Sequence, residues 1–102
     1  MEKQLLSDVK DYLNITYKDE ATENVLIGAL KRGQSIIDGY AGSEQDYSQE
    51  GLHRQLLFDY CRYVRSHAAE MFEINFRRDL INLRELAEIQ ATVQAETEAE
   101  SG

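Results

Sequence analysis

The sequence predicts an all-α protein: a small bundle of about four helices, with a long central helix and a flexible acidic C-terminal tail. Three observations predict it. Apolar residues recur at helical spacing almost without interruption from residue 5 to residue 89. The chain contains no proline, the strongest helix breaker. It also lacks the dense turn signals that punctuate a β-sandwich. At 102 residues it reads as one domain, with a helical unit over 1–90 and a tail over 91–102. A domain of that size buries roughly two-thirds of its unfolded surface, enough for one small core.

The first helix is signalled by Ser7 as N-cap and Asp8 at the positive end of the dipole. Leu5, Leu6, Val9, Tyr12 and Leu13 form its apolar face or staple its start, and it ends near Asn14. The second helix begins between Asp19 and Thr22, with Asp19, Glu20 and Glu23 at its N-terminal turn. Val25, Leu26, Ala29, Leu30, Gly33, Ile36, Ile37 and Tyr40 then make one continuous stripe. Gly33 lies on that stripe and admits another helix at close range, and Gly39 and Gly42 end the element.

Residues 41–48 form a polar loop in which Tyr47 is placed to reach a neighbouring protein. Ser48 is the expected N-cap of a third helix over Gln49–Glu70, with Leu52, Leu56, Leu57, Tyr60, Val64, His67, Ala68 and Met71 on its inner face. Such a helix is roughly 33 Å long and is the expected central element. At Glu73-Ile74-Asn75 two readings stand: a break, after which Asn75 caps a fourth helix carrying Phe76, Leu80, Leu83 and Ala87, or a helix that continues through this point. From Ala91 to Gly102 the chain is Ala, Thr, Gln and Glu with little apolar content, expected to be frayed or disordered in the free monomer.

Chemistry is poorly signalled. His53 and His67 are fourteen residues apart, about 21 Å along one straight helix, too far to share a metal. The one cysteine, Cys61, allows no disulfide within the monomer and has no base or oxyanion site beside it in sequence. The acids of the first two helices read as helix starts and solvated faces. No P-loop, dinucleotide fingerprint or nucleophile elbow occurs. The reading is no enzyme, no metal and no cofactor. The N-terminus lacks the features of a signal peptide, and no run is apolar enough to cross a bilayer, so synthesis and solubility in the cytoplasm are expected.

Charge carries more information. Of the net −8, residues 1–50 hold ten acids against five bases, and residues 51–91 hold six of each. Every base after position 50 is arginine: Arg54, Arg62, Arg65, Arg77, Arg78 and Arg84. Arginine forks suit carboxylates and interfaces, and Tyr60 and Tyr63 intersperse with Arg62 and Arg65. One reading is intramolecular or solvated ion pairs; the sharper one is a head-to-tail subunit contact, the Arg-containing half meeting the acidic half of a neighbour, and such contacts close into rings. The acidic balance excludes tight binding of the nucleic-acid backbone, yet suits a surface along which DNA slides without sticking.

Leu6-Ser7-Asp8-Val9-Lys10-Asp11-Tyr12-Leu13-Asn14-Ile15, then Asp19-Glu20, then Ile36-Ile37-Asp38-Gly39-Tyr40-Ala41-Gly42, resembles the N-terminal half of tailed-phage head–tail connector proteins, also called adaptor or head-completion proteins. Met71 to Leu80 with Leu83-Arg84 resembles the second half of versions from phages of Gram-positive bacteria. Gly33 is a mild departure, since family members often carry a small residue such as Ala there. The resemblance implies a virion protein: a dodecameric ring under the portal protein that extends the DNA channel and docks a stopper or tail-completion protein. It implies that the segment from Phe76 to Gly102 engages the portal. Arg62, Arg65, Phe76, Arg77, Arg78, Arg84 and Tyr47 are then the expected partner and subunit contacts, and Asp19, Glu20 and Glu23 the acids facing the channel or a neighbour. The competing reading is an acidic DNA mimic of the anti-restriction type, which requires carboxylates regularly spaced along one exposed surface.

Overall fold

The computed structural model of the chain describes residues 2–101. Five helices follow in order: α1 (Glu2–Tyr12), α2 (Glu20–Ala41), α3 (Leu52–Arg65), α4 (Phe72–Asn75) and α5 (Arg77–Ser101), with a 3₁₀ turn at Ala69–Met71. Among the described residues there is no strand, and no helix is long and apolar enough to cross a membrane.

α1 starts five residues before the expected cap. Ser7 lies exposed inside the helix and caps nothing, because Glu2 to Leu6 are all good helix formers. Leu5 and Val9, one turn apart, bury the inner face. The helix stops where expected in kind. Asn14 adopts the left-handed conformation (φ 59°), and the Asn14 and Ile15 amides donate back to the Asp11 and Lys10 carbonyls. That is the paired bonding of a Schellman stop, with asparagine standing in for glycine. It turns Ile15 into the core.

α2 is the element the sequence described best. Asp19 caps it, accepting from the Thr22 amide at 3.1 Å and the Thr22 hydroxyl at 2.6 Å. Gly42 (φ 82°) ends it, and its amide donates to the Asp38 carbonyl, so the helix passes through Gly39 and stops at the second glycine. Leu26, Ala29, Leu30, Gly33, Ile37 and Ala41 are buried. Val25 was expected on this stripe but is 49% exposed, at the stripe's edge near the open N-terminal end. A Cβ on Gly33 would stand 2.7 Å from Leu57 Cδ1 and 2.9 Å from Tyr60 Cδ2, so hydrogen at this position is what lets α3 approach.

The third helix is shorter than expected: Leu52–Arg65, not Gln49–Glu70. Its N-cap is Gly51; the Ser48 hydroxyl and amide turn instead onto the Asp46 carboxylate. It ends because His67 goes left-handed (φ 56°), with the His67 and Ala68 amides donating to the Val64 and Tyr63 carbonyls. His67 and Met71 therefore leave the inner face and are exposed. The central helix is consequently α2, which packs against α1, α3 and α5.

Between α3 and α5 the chain turns twice. Phe72 is fully buried and meets Tyr60, Tyr63 and Phe76 at ring-centroid distances of 5.1 to 5.9 Å. Phe76, not Asn75, is the junction: it closes α4, and its carbonyl accepts from the Leu80 amide to open α5. Asn75 instead donates its side-chain amide to the Tyr63 hydroxyl at 2.9 Å. The one-turn α4 makes the count five rather than about four. α5 then runs to Ser101, so the segment expected as a frayed tail over 91–102 is helical up to that residue; Gly102 lies outside the described residues. Ala, Glu and Gln are strong helix formers, and that preference outweighs the missing apolar face.

Candidate interaction surfaces

The polar groups inside the fold are mutually satisfied. Asp59, 7% exposed, accepts from the Tyr12 hydroxyl at 2.7 Å and from Gln55 and Arg62 at 3.4 Å each. The bond to Asp59 is the main reason the Tyr12 hydroxyl is held above the usual tyrosine range, with burial adding to it. Arg54 ties three segments together. It pairs with Asp8 of α1 at 2.7 Å, donates to the Tyr47 carbonyl at 3.0 Å, and lies 4.8 Å over the Phe58 ring. No sequence signal separated Arg54 from the other five late arginines; only the position of Asp8 across the fold gives it this structural task.

Cys61 is wholly buried, and burial pushes its thiol up to about 12, against a smaller opposing pull from Arg32. A thiol in that state is a packing group rather than a nucleophile at neutral pH. His53 places a ring nitrogen 2.7 Å from the Asp46 carbonyl and packs on Tyr47. Among the described residues no three or more His, Cys, Asp or Glu side chains are gathered so that they could hold a metal ion.

The expected contact residues separate into two groups. Tyr47 is a correction: it is 1% exposed, and its hydroxyl donates to Asp38 at 2.7 Å. The loop folds inward because this ring fills the core beside Ala41 and Ile37, leaving nothing of Tyr47 to offer a neighbour. Phe76 is half-buried against Tyr63 and Phe72. Arg62 pairs with Asp59 and lies 5.1 Å over the Tyr63 ring, and Arg84 pairs with Glu88 one turn on. These side chains are engaged within the chain. Arg65, Arg77 and Arg78 are exposed and form no ion pair with a described residue.

The three acids also differ. Asp19 spends its carboxylate on the cap, where the two Thr22 bonds hold it below the usual range. Glu23 faces Lys10 at 3.6 Å. Glu20 is exposed and free of any ion pair with a described residue.

Apolar exposure is concentrated late in the chain. Ile74, Ile81, Leu86, Ile89 and Val93 are between 47% and 66% exposed. Leu80, Leu83 and Ala87 are the α5 residues that meet the core. From Glu88 onward, every described side chain is exposed. α5 is about 37 Å long at 1.5 Å per residue. Two shallow clefts open on α2. One, at its start, is lined by Ala21, Thr22, Val25, Val64, Arg65 and His67. The other runs past Ile36, Gly39, Tyr40, Ile74 and Ile81. Comparison with protein-family models, curated proteins and solved structures finds no match to this chain.

Proposed function

We propose that this chain is a structural head–tail adaptor of a tailed phage. It assembles as a ring beneath the portal protein, a ring the resemblance makes dodecameric. It extends the DNA channel and offers a docking surface to a stopper or tail-completion protein. It carries out no catalysis, and the virion is its place of work.

The observation that carries this reading is the exposed apolar residues of α5, Leu86, Ile89 and Val93. Beside them, Arg65, Arg77 and Arg78 are exposed and form no ion pair with a described residue. Apolar residues on an exposed helix face and unpaired arginines are the composition of an interface rather than of a free surface. The DNA-mimic reading has less support. Asp8, Glu23 and Asp59 are paired within the fold, and Asp19 is a cap, so these acids do not form an open row.

Co-sedimentation with purified portal rings tests the proposal. The wild-type chain is expected to pellet with the rings. Reversing both Arg77 and Arg78 to Glu is expected to weaken that binding while leaving helicity unchanged by circular dichroism. No binding under conditions that keep both partners folded refutes the adaptor reading. Unchanged binding of the double variant refutes the assignment of those two residues.

A further inference from the structure

We infer that the outer face of α5 of one copy docks in the cleft between the start of α2 and the end of α3 of a second copy. This rests on the ring reading above and names the contact that builds it.

Leu86, Ile89 and Val93 recur at i, i+3 and i+7, which puts them on one stripe. The stripe is turned away from Leu80 and Leu83, the residues that seat α5 on its own body. Three anchors at this spacing are the signature of a helix laid into a groove. The cleft has the matching character. Val25 is half exposed at its mouth, Ala21 is small enough to admit a helix, and Val64 is a partly buried neighbour of the core.

Charge selects the occupant. Glu85 and Glu96 are eleven residues apart, just over three full turns, and so border the same edge of the stripe. Two α5 helices paired face to face would bring four carboxylates together. The cleft presents the opposite character: Arg65 lines it, no carboxylate does, and Arg65 forms no ion pair with a described residue. Donor face and acceptor cleft are different surfaces of one chain, as a head-to-tail contact that repeats from copy to copy requires. Three half-exposed side chains cover much less than the roughly 1,600 Å² of an ordinary stable interface. One such contact is therefore weak, and ring closure or a template must add to it.

Disulfide trapping between two single variants tests the contact. Val25→Cys and Ile89→Cys, each checked for native helicity, are oxidised separately and as a mixture, free at high concentration and on portal rings. The inference expects a crossed dimer in the mixture that neither variant forms alone. Arg65→Glu placed on the Val25→Cys chain is expected to lower the crossed yield about tenfold. If either cysteine disturbs the fold, Ala21→Cys with Val93→Cys replaces the pair. A product made by Ile89→Cys with itself, or no crossed product in either setting, overturns the inference. If wild-type chain still pellets with portal rings in that case, the adaptor reading stands and only the named contact falls; if it does not, both fall.

Discussion

Alanine at Gly33 and alanine at Gly39 are chemically the same change in the same helix, and the structure expects opposite results. Both glycines lie inside α2, where Gly costs about 1 kcal/mol relative to Ala. A Cβ on Gly39 meets nothing within 4 Å. Gly39→Ala should therefore keep the whole gain, about 1 kcal/mol. A Cβ on Gly33 would stand 2.7 Å from Leu57 Cδ1 and 2.9 Å from Tyr60 Cδ2, well inside carbon–carbon contact of about 3.5–4.0 Å. Neither neighbour can retreat easily, since Leu57 is 0% exposed and Tyr60 5%. Overpacking of that kind costs about 1–3 kcal/mol, which cancels or exceeds the propensity gain. Thermal melts by circular dichroism read the contrast. At about 4–8 °C per kcal/mol for a domain of this size, Gly39→Ala should rise by several degrees, and Gly33→Ala should stay level or fall. Equal rises for the two variants would mean that α2 and α3 are not in contact at Gly33, and the packing argued above would be wrong.

Three further outcomes are expected. His67→Gly should stabilise the fold by about 0.5–1 kcal/mol, because glycine adopts the left-handed stop of α3 without the Cβ penalty; a denaturant midpoint that falls or does not move would contradict the assigned turn. Tyr12, Tyr40 and Tyr47 are all raised in the folded chain, Tyr12 mainly through its bond to Asp59, and Tyr40 and Tyr47 mainly through burial. A folded-state value above the unfolded one stabilises the neutral phenol below pH about 10, and that stability is lost as pH rises through the folded value. Absorbance titration should show Tyr47 ionising only with unfolding. Finally, a thiol reagent at neutral pH should leave Cys61 untouched in the native chain and label it once denaturant is added; rapid native labelling would place Cys61 outside the core.

Much of the fold was legible because it is written in local chemistry. α2 shows this: a start within Asp19 to Thr22, the stripe from Leu26 to Ile37 and a stop at Gly42 are all short-range features, and each stands where the sequence put it. The end of α3 was not legible in this way. α3 stops at Arg65 through a left-handed histidine, and nothing in the run Tyr63-Val64-Arg65-Ser66-His67-Ala68 distinguishes that stop from continued helix. What rewards the turn is Phe72, which must come back against Tyr60 and Tyr63.

The candidate surface divides along the same line. That this chain is all-helical and acidic is a property of its composition and period, readable in one dimension. Which of its arginines remain available is not. Arg62 faces the buried Asp59 and Arg54 reaches Asp8, while Arg65, Arg77 and Arg78 form no ion pair with a described residue. Tyr47 looked like a loop residue open to a neighbour, yet it is core because Asp38 on α2 accepts its hydroxyl. Helix identity is decided within three or four residues along the chain; ion pairs and burial depend on groups brought together across tens of residues, so only the packed molecule settles them.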